Sequence, residues 1–300
     1  MRNHFIIGTR GSNLALIQTE VVRRAIRKHF PEIRLEVKVL KTLGDRRPEL
    51  DLLTNQGKGI FCGEIEQSLL NQEIDLAVHS VKDLPGELPP GLVLTAFLKR
   101  EDPREVLVGR DGLKLMELPA GAVIGTSSIR RLLQLKAKRP DLHFEPIRGN
   151  VETRIRKVMD GQYDATILAL AGIRRLGLED RITEYFAAPE MVPAPGQGCI
   201  GVEIRVEDHE LIKYLQPIND PVTASEISAE RAFLRRMGGN CEAAAGAYAK
   251  NEQGIIEMLG LFGRPDGLMI TDHVIGPENA AEDLGRELAE RILQVSEYPC

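Results

Sequence analysis

Residues 5–40 read FIIGTRGSNLALIQTEVVRRAIRKHFPEIRLEVKVL. This stretch predicts an apolar strand, a turn with Gly, Thr and Ser, an amphipathic helix, and a second strand that follows a proline–acidic pair. Residues 123–147, VIGTSSIRRLLQLKAKRPDLHFEPI, repeat the same order. Strands that alternate with helices form βαβ units in mainly parallel sheets. The weak repeat therefore predicts two related α/β halves in one chain.

Further segments extend each predicted half and connect the two. An aspartate followed by a short apolar strand occurs at 73–84 (EIDLAVHSVKDL) and again at 162–173 (QYDATILALAGI). We interpret residues 99–112 and the Pro- and Gly-rich residues 189–201 as hinges between the halves. Residues 198–205, GCIGVEIR, predict a strand that returns to the first half. A crevice between two such halves is the default binding site.

The C-terminal part of the chain has a different pattern. Asp220 and Pro221 predict the start of a helix that extends to about Met237. Three apolar segments separated by the turns NEQG and RPDG then predict an antiparallel meander. The apolar face of a final helix consists of Ala281, Leu284, Leu288, Ile292 and Val295. These elements predict a small α+β domain, with Cys241 on the loop between its first helix and its first strand.

The composition is that of a soluble globular protein, with 43% apolar and 28% charged residues. We expect no membrane-spanning helix, because no apolar run reaches about 18 residues, and no secretory signal, because the apolar stretch before Gly8 is too short. The net charge of −5 argues against non-specific nucleic-acid binding. The four cysteines form no C-x-x-C pair. We therefore expect free thiols in a reducing cytosol and no metal site.

Both predicted strand-to-helix turns combine hydroxyl side chains with arginine. The residues concerned are Arg10, Ser12, Thr126, Ser128, Arg130 and Arg131. Ser and Thr at a helix start are also ordinary caps, which is the simpler interpretation of either turn alone. Arginine, however, opposes the positive end of the helix dipole unless an anion binds there. The combination favours sites for carboxylates or phosphates.

Other charged residues lie where loops are predicted. The segment RGNVETR contains Arg148 and Arg154 at another helix start, and Arg175 follows a strand. A guanidinium group binds a carboxylate through two hydrogen bonds, although scattered arginines are most often a solvated basic surface. In VHSVKDLP, Lys82 and Asp83 follow the end of an apolar strand. Asp83 can stabilise a developing positive charge or transfer a proton.

A long polar segment with several glycines occupies residues 44–61. Its Gly57-Lys58-Gly59 sequence does not match the pattern of a phosphate-binding P-loop. We interpret the segment as a lid over the crevice. A disordered surface loop is the alternative interpretation.

Nine short motifs carry a specific resemblance to a known family. In chain order they are TRGSNLAL, GKGIF, AVHSVKDLP, REDPRE, IGTSSIRR, RRPDL, RGNVETR, AGIRRLGL and PGQG. Over essentially its whole length the chain closely resembles the hydroxymethylbilane synthase family, also called the porphobilinogen deaminase family. Each motif alone is weak, whereas the ordered set is highly specific.

The resemblance implies an α/β fold. Two periplasmic-binding-protein-like lobes with mainly parallel sheets are followed by a small α+β C-terminal domain with a three-stranded antiparallel sheet. We expect residues 1–98 and 198–217 to form the first lobe and residues 99–197 the second. Residues 218–300 are expected to form the C-terminal domain, which carries the cofactor.

The resemblance also implies a transferase that condenses four porphobilinogen molecules head to tail and releases ammonia at each step. Its product is the linear tetrapyrrole hydroxymethylbilane, a precursor in haem and tetrapyrrole biosynthesis. A dipyrromethane cofactor primes the reaction, and Cys241 matches the cysteine that holds it through a thioether. By the same match Asp83 is the catalytic aspartate, and Lys82 beside it is the second expected catalytic residue. We expect a cytoplasmic monomer whose partner is porphobilinogen, without nucleic acid or membrane.

Further roles follow from the same resemblance. The expected cofactor-binding residues are Cys241, Arg10, Ser12, Lys82, Asp83, Thr126, Ser128, Arg130, Arg131 and Arg148. The expected substrate-binding residues are Arg10, Gln18, Arg148, Arg154, Arg175 and Gln197, and the residues that match the lid are Lys58 and Phe61. The family usually has Gly-Gly-Cys-x-x-Pro, whereas this chain has Asn240 before the cysteine and Ala244 in place of the proline. Asparagine tolerates a left-handed turn, and the missing proline predicts a freer loop, at a cost of about 0.4–1 kcal/mol.

Two other functions fit parts of this pattern. A non-enzymatic binding protein with two lobes would use the same arginines but would need neither Asp83 nor a reachable cysteine. A different transferase on the same scaffold would use Cys241 as a transient nucleophile. Incubation with porphobilinogen discriminates between them, because only the synthase releases ammonia and forms a linear tetrapyrrole.

Overall fold

The structure is a computed structural model that describes residues 2–42, 62–238, 244–264 and 266–296. The helices are α1 (Asn13–His29), α2 (Gly63–Leu70), α3 (Ile129–Lys138), α4 (Val151–Met159), α5 (Leu170–Arg175), α6 (His209–Leu215), α7 (Pro221–Arg236) and α8 (Ala281–Ser296). The strands are β1 (His4–Arg10), β2 (Arg34–Leu40), β3 (Leu76–Ser80), β4 (Leu92–Phe97), β5 (Glu105–Gly109), β6 (Val123–Gly125), β7 (His143–Glu145), β8 (Ala165–Ala169), β9 (Glu184–Phe186), β10 (Ile200–Arg205), β11 (Ala244–Glu252), β12 (Ile255–Gly263) and β13 (Met269–Pro277).

The first lobe is built on a sheet with the strand order β2-β1-β3-β10-β4. β1 pairs in parallel with β2 and β3, whereas β10 is antiparallel to β3 and β4. Four strands therefore run in one direction, and β10 runs in the other. Apolar residues of α1 and α6 pack on one face of the sheet, and those of α2 pack on the opposite face.

The second lobe repeats this topology with the order β7-β6-β8-β5-β9. β6 is parallel to β7 and β8, and β5 is antiparallel to β8 and β9, so the reversed strand again lies fourth. α3 packs on one face of the sheet, and α4 and α5 pack on the other. The repeat seen in the sequence is therefore confirmed as two α/β lobes with mainly parallel sheets.

The chain crosses between the lobes twice, and both crossings end in a reversed strand. β5 enters the second sheet directly after β4 of the first, and β10 returns to lie between β3 and β4. The predicted return of residues 198–205 is thus confirmed. The first hinge is shorter than predicted, because residues 105–109 form β5 and only the residues before them link the lobes. The domain boundaries themselves stay a prediction.

The C-terminal domain has an antiparallel sheet of the order β11-β12-β13, covered by α7 and α8. Asp220 caps α7 by accepting a hydrogen bond from the backbone N–H of Thr223, and Pro221 is the first helical residue, as predicted. The meander is confirmed as well. Within the described residues, no helix is long and apolar enough to span a membrane.

The predicted apolar face of the last helix is wrong at one residue, Val295. Ala281, Leu284, Leu288 and Ile292 are buried, but the side chain of Val295 is 68% exposed. With 3.6 residues per turn, the buried stripe continues four residues after Ile292. Ser296 occupies that position and is buried.

Candidate active site

The three helices that begin at predicted site segments each have a capping side chain, and two of these starts are joined across the lobes. Ser12, Ser128 and Asn150 each accept a hydrogen bond from the backbone N–H three residues further on. The hydroxyl groups of Ser12 and Ser128 therefore act as the ordinary caps of the simpler interpretation. Asn13 Nδ2 donates to Glu152 Oε1 at 3.0 Å, which links the first turn of α1 to that of α4.

A buried carboxylate lies against the arginines at the start of α3. Glu105, at the beginning of β5, accepts hydrogen bonds from Arg130 Nη2 at 2.6 Å and from Arg131 Nη2 and Nε at 2.8 and 3.1 Å. The remaining terminal nitrogens donate to backbone carbonyls, Arg130 to Val192 and Arg131 to Ile167. Both guanidinium groups are therefore held inside the second lobe before any ligand binds.

This ion-pair network changes the acidity of its carboxylate. Burial alone raises the pKa of Glu105, but the charges of Arg131 and Arg130 outweigh it and lower that pKa to about 2. Glu105 is therefore ionised at neutral pH and offsets part of the charge of the two arginines. The expected role of Arg130 and Arg131 in holding a cofactor stays a prediction.

Further cations surround this network on both sides of the cleft. Burial lowers the pKa of Lys82 to about 8, and the positive charge of Arg131 acts in the same direction. Burial, together with the charges of Arg131 and Arg148, lowers the pKa of Arg154 to about 10. Asp83 opposes the shift in both cases, so this carboxylate of the first lobe lies within electrostatic range of Arg154 in the second. We call Lys82, Arg131, Arg148 and Arg154 the basic cluster.

The basic cluster has the chemistry of a site for carboxylates. Within the described residues, the carboxylates that act on the pKa values of Lys82 and Arg154 are Asp83 and Glu105. The pKa values of Lys82 and Arg154 are lowered first by burial and then by the nearby positive charge of Arg131, so several cations lie close together here. A ligand with several carboxylates would fit these cations, since guanidinium groups bind such groups through charge-assisted hydrogen bonds.

A pocket opens at the carboxyl end of β3 in the first lobe. Its walls include Arg10, Ser12, Gln18, Ser80 and Asp83. Gln18 Nε2 and Ser80 Oγ lie 2.8 Å apart and hydrogen-bond. Four of the predicted site residues of the first lobe are thus brought together here, and the exposed Asp83 connects the pocket to the basic cluster.

Lys82 is supported from the second crossing between the lobes. Lys82 Nζ donates to Gln197 Oε1 at 3.3 Å, and Gln197 Nε2 donates to the carbonyl of Pro103 at 2.7 Å. The carbonyl of Gln197 accepts from Arg100 Nε, and Arg100 forms a two-point ion pair with Glu230 on α7. A continuous chain of hydrogen bonds therefore links the C-terminal domain to Lys82.

Two predicted residues lie apart from the basic cluster. Arg175 Nη2 donates to the carbonyl of Gly198 at 2.6 Å, so this arginine lies against the second crossing. Thr126 follows β6, and its hydroxyl oxygen accepts from the backbone N–H of Ser128. The predicted lid residues Lys58 and Phe61 and the predicted attachment residue Cys241 lie outside the described residues.

Sequence reasoning assigned no role to Glu105. Its motif REDPRE was noticed, but only the fold shows that the last residue of the motif opens the fully buried strand β5. A carboxylate at the start of the run EVLVG was the available signal, because a buried charge requires a partner. The partners, Arg130 and Arg131, are distant in sequence.

Comparisons with known proteins identify the family of this chain. The family model described as porphobilinogen deaminase, dipyromethane cofactor binding domain, matches residues 5–213. The family model described as the porphobilinogen deaminase C-terminal domain matches residues 224–294. The chain belongs to the porphobilinogen deaminase family. The resemblance drawn from the nine motifs is therefore confirmed.

Relatives within this family match almost end to end. A porphobilinogen deaminase of Roseiflexus castenholzii is 46% identical over 293 residues, covering 98% of this chain and 97% of the relative. One from Syntrophus aciditrophicus is 46% identical over 288 residues, covering 96% of this chain and 94% of the relative. Among solved structures, the Bordetella pertussis BvgS VFT2 domain is similar to this chain. The match covers 72% of this chain and 87% of the BvgS chain, with 13% sequence identity and a TM-score of 0.44.

The family assignment divides the site between two segments. All the predicted site residues that the structure describes fall within residues 5–213, the cofactor-binding domain of the family. Cys241 falls within the C-terminal domain of the family. The residues of the cleft fit a dipyrromethane that carries carboxylates, because the basic cluster supplies the cations that such a group requires.

Proposed function

We propose that this chain is a hydroxymethylbilane synthase. It joins four porphobilinogen molecules head to tail, releases one ammonia at each step and yields a linear tetrapyrrole. Dipyrromethane, held by a thioether to Cys241, primes the reaction and supplies the pyrrole on which the chain grows. The reaction takes place in the cytoplasm, and the enzyme acts as a monomer.

The observation that carries this proposal is the basic cluster beside Asp83, in which burial and neighbouring arginines lower the pKa values of Lys82 and Arg154. Each porphobilinogen brings an acetate and a propionate, so a growing chain accumulates carboxylates. Lys82, Arg148 and Arg154 bind these groups, and charge-assisted hydrogen bonds contribute about 1.5–3 kcal/mol each. Arg10 and Arg175 add further cations at the pocket and at the crossing. Binding therefore relies on several cations that lie close together beside Asp83.

Asp83 is the catalytic carboxylate in this proposal. Loss of ammonia from an aminomethyl pyrrole leaves a cationic carbon, which a nearby carboxylate stabilises. Asp83 is exposed at the pocket and lies within electrostatic range of Arg154 and Lys82. Gln18 and Ser12 line the same pocket and offer hydrogen bonds that orient the substrate.

The way β11 docks on the second lobe supports an attachment at Cys241. The backbone N–H of Ala247 donates to the carbonyl of Pro193 at 3.0 Å, and the neighbouring carbonyl of Val192 accepts from Arg130. Ala244 begins this strand. A chain of three residues spans at most about 11 Å, so Cys241 is tethered to a strand that lies against the arginine-bearing helix α3.

Three finer assignments belong to the proposal. Lys58 and Phe61 act in a lid that covers the cleft. The first lobe comprises residues 1–98 and 198–217, the second residues 99–197, and the cofactor-bearing domain residues 218–300. Thr126, Ser128, Arg130 and Arg131 hold the carboxylates of the dipyrromethane.

Incubation of the purified protein with porphobilinogen tests the proposal. We expect release of ammonia together with a linear tetrapyrrole that closes chemically to a porphyrin when left in solution. Binding without ammonia release would support a two-lobed binding protein instead. Ammonia release without a tetrapyrrole would support a different transferase.

A further inference from the structure

A buried imidazole–carboxylate pair lies behind the pocket. His79 Nε2 and Glu203 Oε2 are 2.9 Å apart, and the two side chains are 6% and 0% exposed. His79 is on β3, and its register partner on the antiparallel strand β10 is Gly201. Glu203 is two residues further along β10, so the two side chains lie on the same face of the sheet.

A second buried carboxylate accompanies the pair. Burial raises the pKa of Glu66, on α2, and the negative charge of Glu203 raises it further. Glu66 also has a hydrogen bond with the thiol of Cys62. Oε1 of Glu66 and Oε1 of Glu203 have no hydrogen-bond partner within the described part of the chain. The neighbourhood therefore disfavours the charged form of Glu66, and Glu203 is the carboxylate that hydrogen-bonds His79.

His79 is one of the residues that line the pocket. His79 and Cys62 line the same pocket as Asp83, Gln18 and Ser80. The only hydrogen bond that the imidazole makes with the described residues is the one from Nε2 to Glu203. Glu203 therefore holds Nε2, whereas Nδ1 has no hydrogen bond to the described residues.

We propose that His79 accepts the proton that leaves the pyrrole carbon in each coupling, and that Glu203 is the positioning residue that sets its tautomer. This inference rests on the proposed function. In a coupling between two porphobilinogen units, the aminomethyl group reacts in its protonated ammonium form, so that the C–N bond breaks and neutral ammonia leaves with the electron pair. The attacking pyrrole carbon forms the new C–C bond. Its C–H bond then breaks, the electron pair restores the aromatic ring, and the proton goes to Nδ1 of His79.

The proposal divides two tasks between two residues. Asp83 must keep its negative charge while the cationic carbon exists, and it would lose that charge by taking the proton. His79 can accept the proton because Glu203 takes the hydrogen bond of Nε2, which leaves Nδ1 as the ring nitrogen with a lone pair. The imidazolium passes the proton to water or to the released ammonia and is ready for the next coupling.

A purely structural role is the competing explanation. The pair also connects β3 to β10, and breaking a buried pair destabilises a protein whatever its chemistry. The structural role predicts lower stability without a selective change in proton transfer. The two explanations therefore differ in the tautomer of His79 and in the sensitivity of the reaction to deuterium.

The first experiment measures the tautomer by ¹⁵N NMR on histidine-labelled protein, without substrate. The signal of His79 is assigned from its absence in His79→Gln. We expect a neutral ring with its proton on Nε2, donated to Glu203, and with Nδ1 free to accept. A ring protonated on Nδ1 would overturn the proposal, because it would have no lone pair directed to a substrate proton.

The second experiment compares porphobilinogen with and without deuterium at its free pyrrole α-carbon. We expect Glu203→Gln to lower turnover roughly 10²-fold, the low end of the usual contribution of acid–base catalysis, and to show a larger primary isotope effect than wild type. Asp75→Asn is the matched control, since Asp75 pairs with Arg205 at the opposite end of β3. It is expected to lower stability and leave the isotope effect unchanged.

The outcomes separate this inference from the function on which it rests. An active wild type, with Glu203→Gln either fully active or slowed without a larger isotope effect, overturns the role of His79 alone. A wild-type protein that releases no ammonia overturns the proposed function and this inference with it.

Discussion

Glu105 binds Arg131 through both of its carboxylate oxygens, at 2.8 and 3.1 Å, inside the second lobe. The same carboxylate also holds Arg130. The sequence suggested that Arg130 and Arg131 bind a carboxylate of a ligand. In the structure these two side chains bind a carboxylate of the protein itself. Glu105 therefore holds Arg130 and Arg131 in place before a ligand binds. Lys82 and Arg154, whose pKa values are lowered, lie around them.

Replacing Glu105 is expected to destabilise the protein strongly. Glu105→Ala leaves two buried guanidinium groups without their partner, which costs about 3–5 kcal/mol in unfolding free energy. Urea denaturation measures this loss. Glu36→Ala is the control, because Glu36 is exposed and its pair with His4 is at the surface, where a pair contributes about 0–1 kcal/mol. Equal effects of the two substitutions would contradict the assigned network.

Lys82 is expected to make stability depend on pH in the alkaline range. Its pKa falls from 10.5 to about 8 on folding, so the unfolded chain binds more protons between these values. The unfolding free energy therefore rises with pH in this window, by at most about 1.4 kcal/mol per pH unit from this group. Lys82→Met should remove that contribution to the slope, whereas the exposed Lys136→Met should keep it. Parallel slopes for wild type and Lys82→Met would rule out the burial of this charge.

Arg154 and Arg156 form a matched pair on α4. Arg154 belongs to the basic cluster, whereas Arg156 is exposed. Arg154→Ala should lower kcat/KM for porphobilinogen about 10- to 100-fold, the equivalent of one charge-assisted hydrogen bond. Arg156→Ala should stay close to wild type. Steady-state kinetics at constant ionic strength measure both, and equal losses would mean that a diffuse basic surface binds the substrate.

Asp83 is expected to matter for turnover and not for folding. Asp83→Asn keeps the shape of the side chain but removes the charge that stabilises the cationic carbon. Turnover should fall by about 10²-fold or more, while the unfolding free energy changes little because Asp83 is exposed. The ammonia assay and urea denaturation measure the two effects. Normal turnover in this variant would refute the catalytic assignment.

Much of the fold could be predicted because hydrophobic periodicity and turn residues act locally. The two βαβ repeats, the return of β10 and the C-terminal meander all follow from patterns within short segments. Val295 was misplaced because the apolar pattern continued past the point where the buried stripe moves to Ser296. A residue at the end of a helix is the least constrained by such a pattern.

The site was less predictable, because its charges are balanced over long sequence separations. Arg130 and Arg131 were singled out, but their partner Glu105 lies 25 and 26 residues earlier, at the start of β5, and carries no local signal for the pairing. The same holds for His79 and Glu203, which meet only because β10 returns beside β3. Arg175 was grouped with the other arginines, whereas the fold directs it to Gly198.

The attachment of the cofactor to Cys241 is the central claim, and the intact mass of the purified chain tests it most directly. After expression with porphobilinogen available, we expect wild type to be heavier than its sequence by the mass of two pyrrole units. Cys241→Ser should have the mass of its sequence alone. A wild-type protein without any added mass, or a variant that retains the added mass, would contradict the claim.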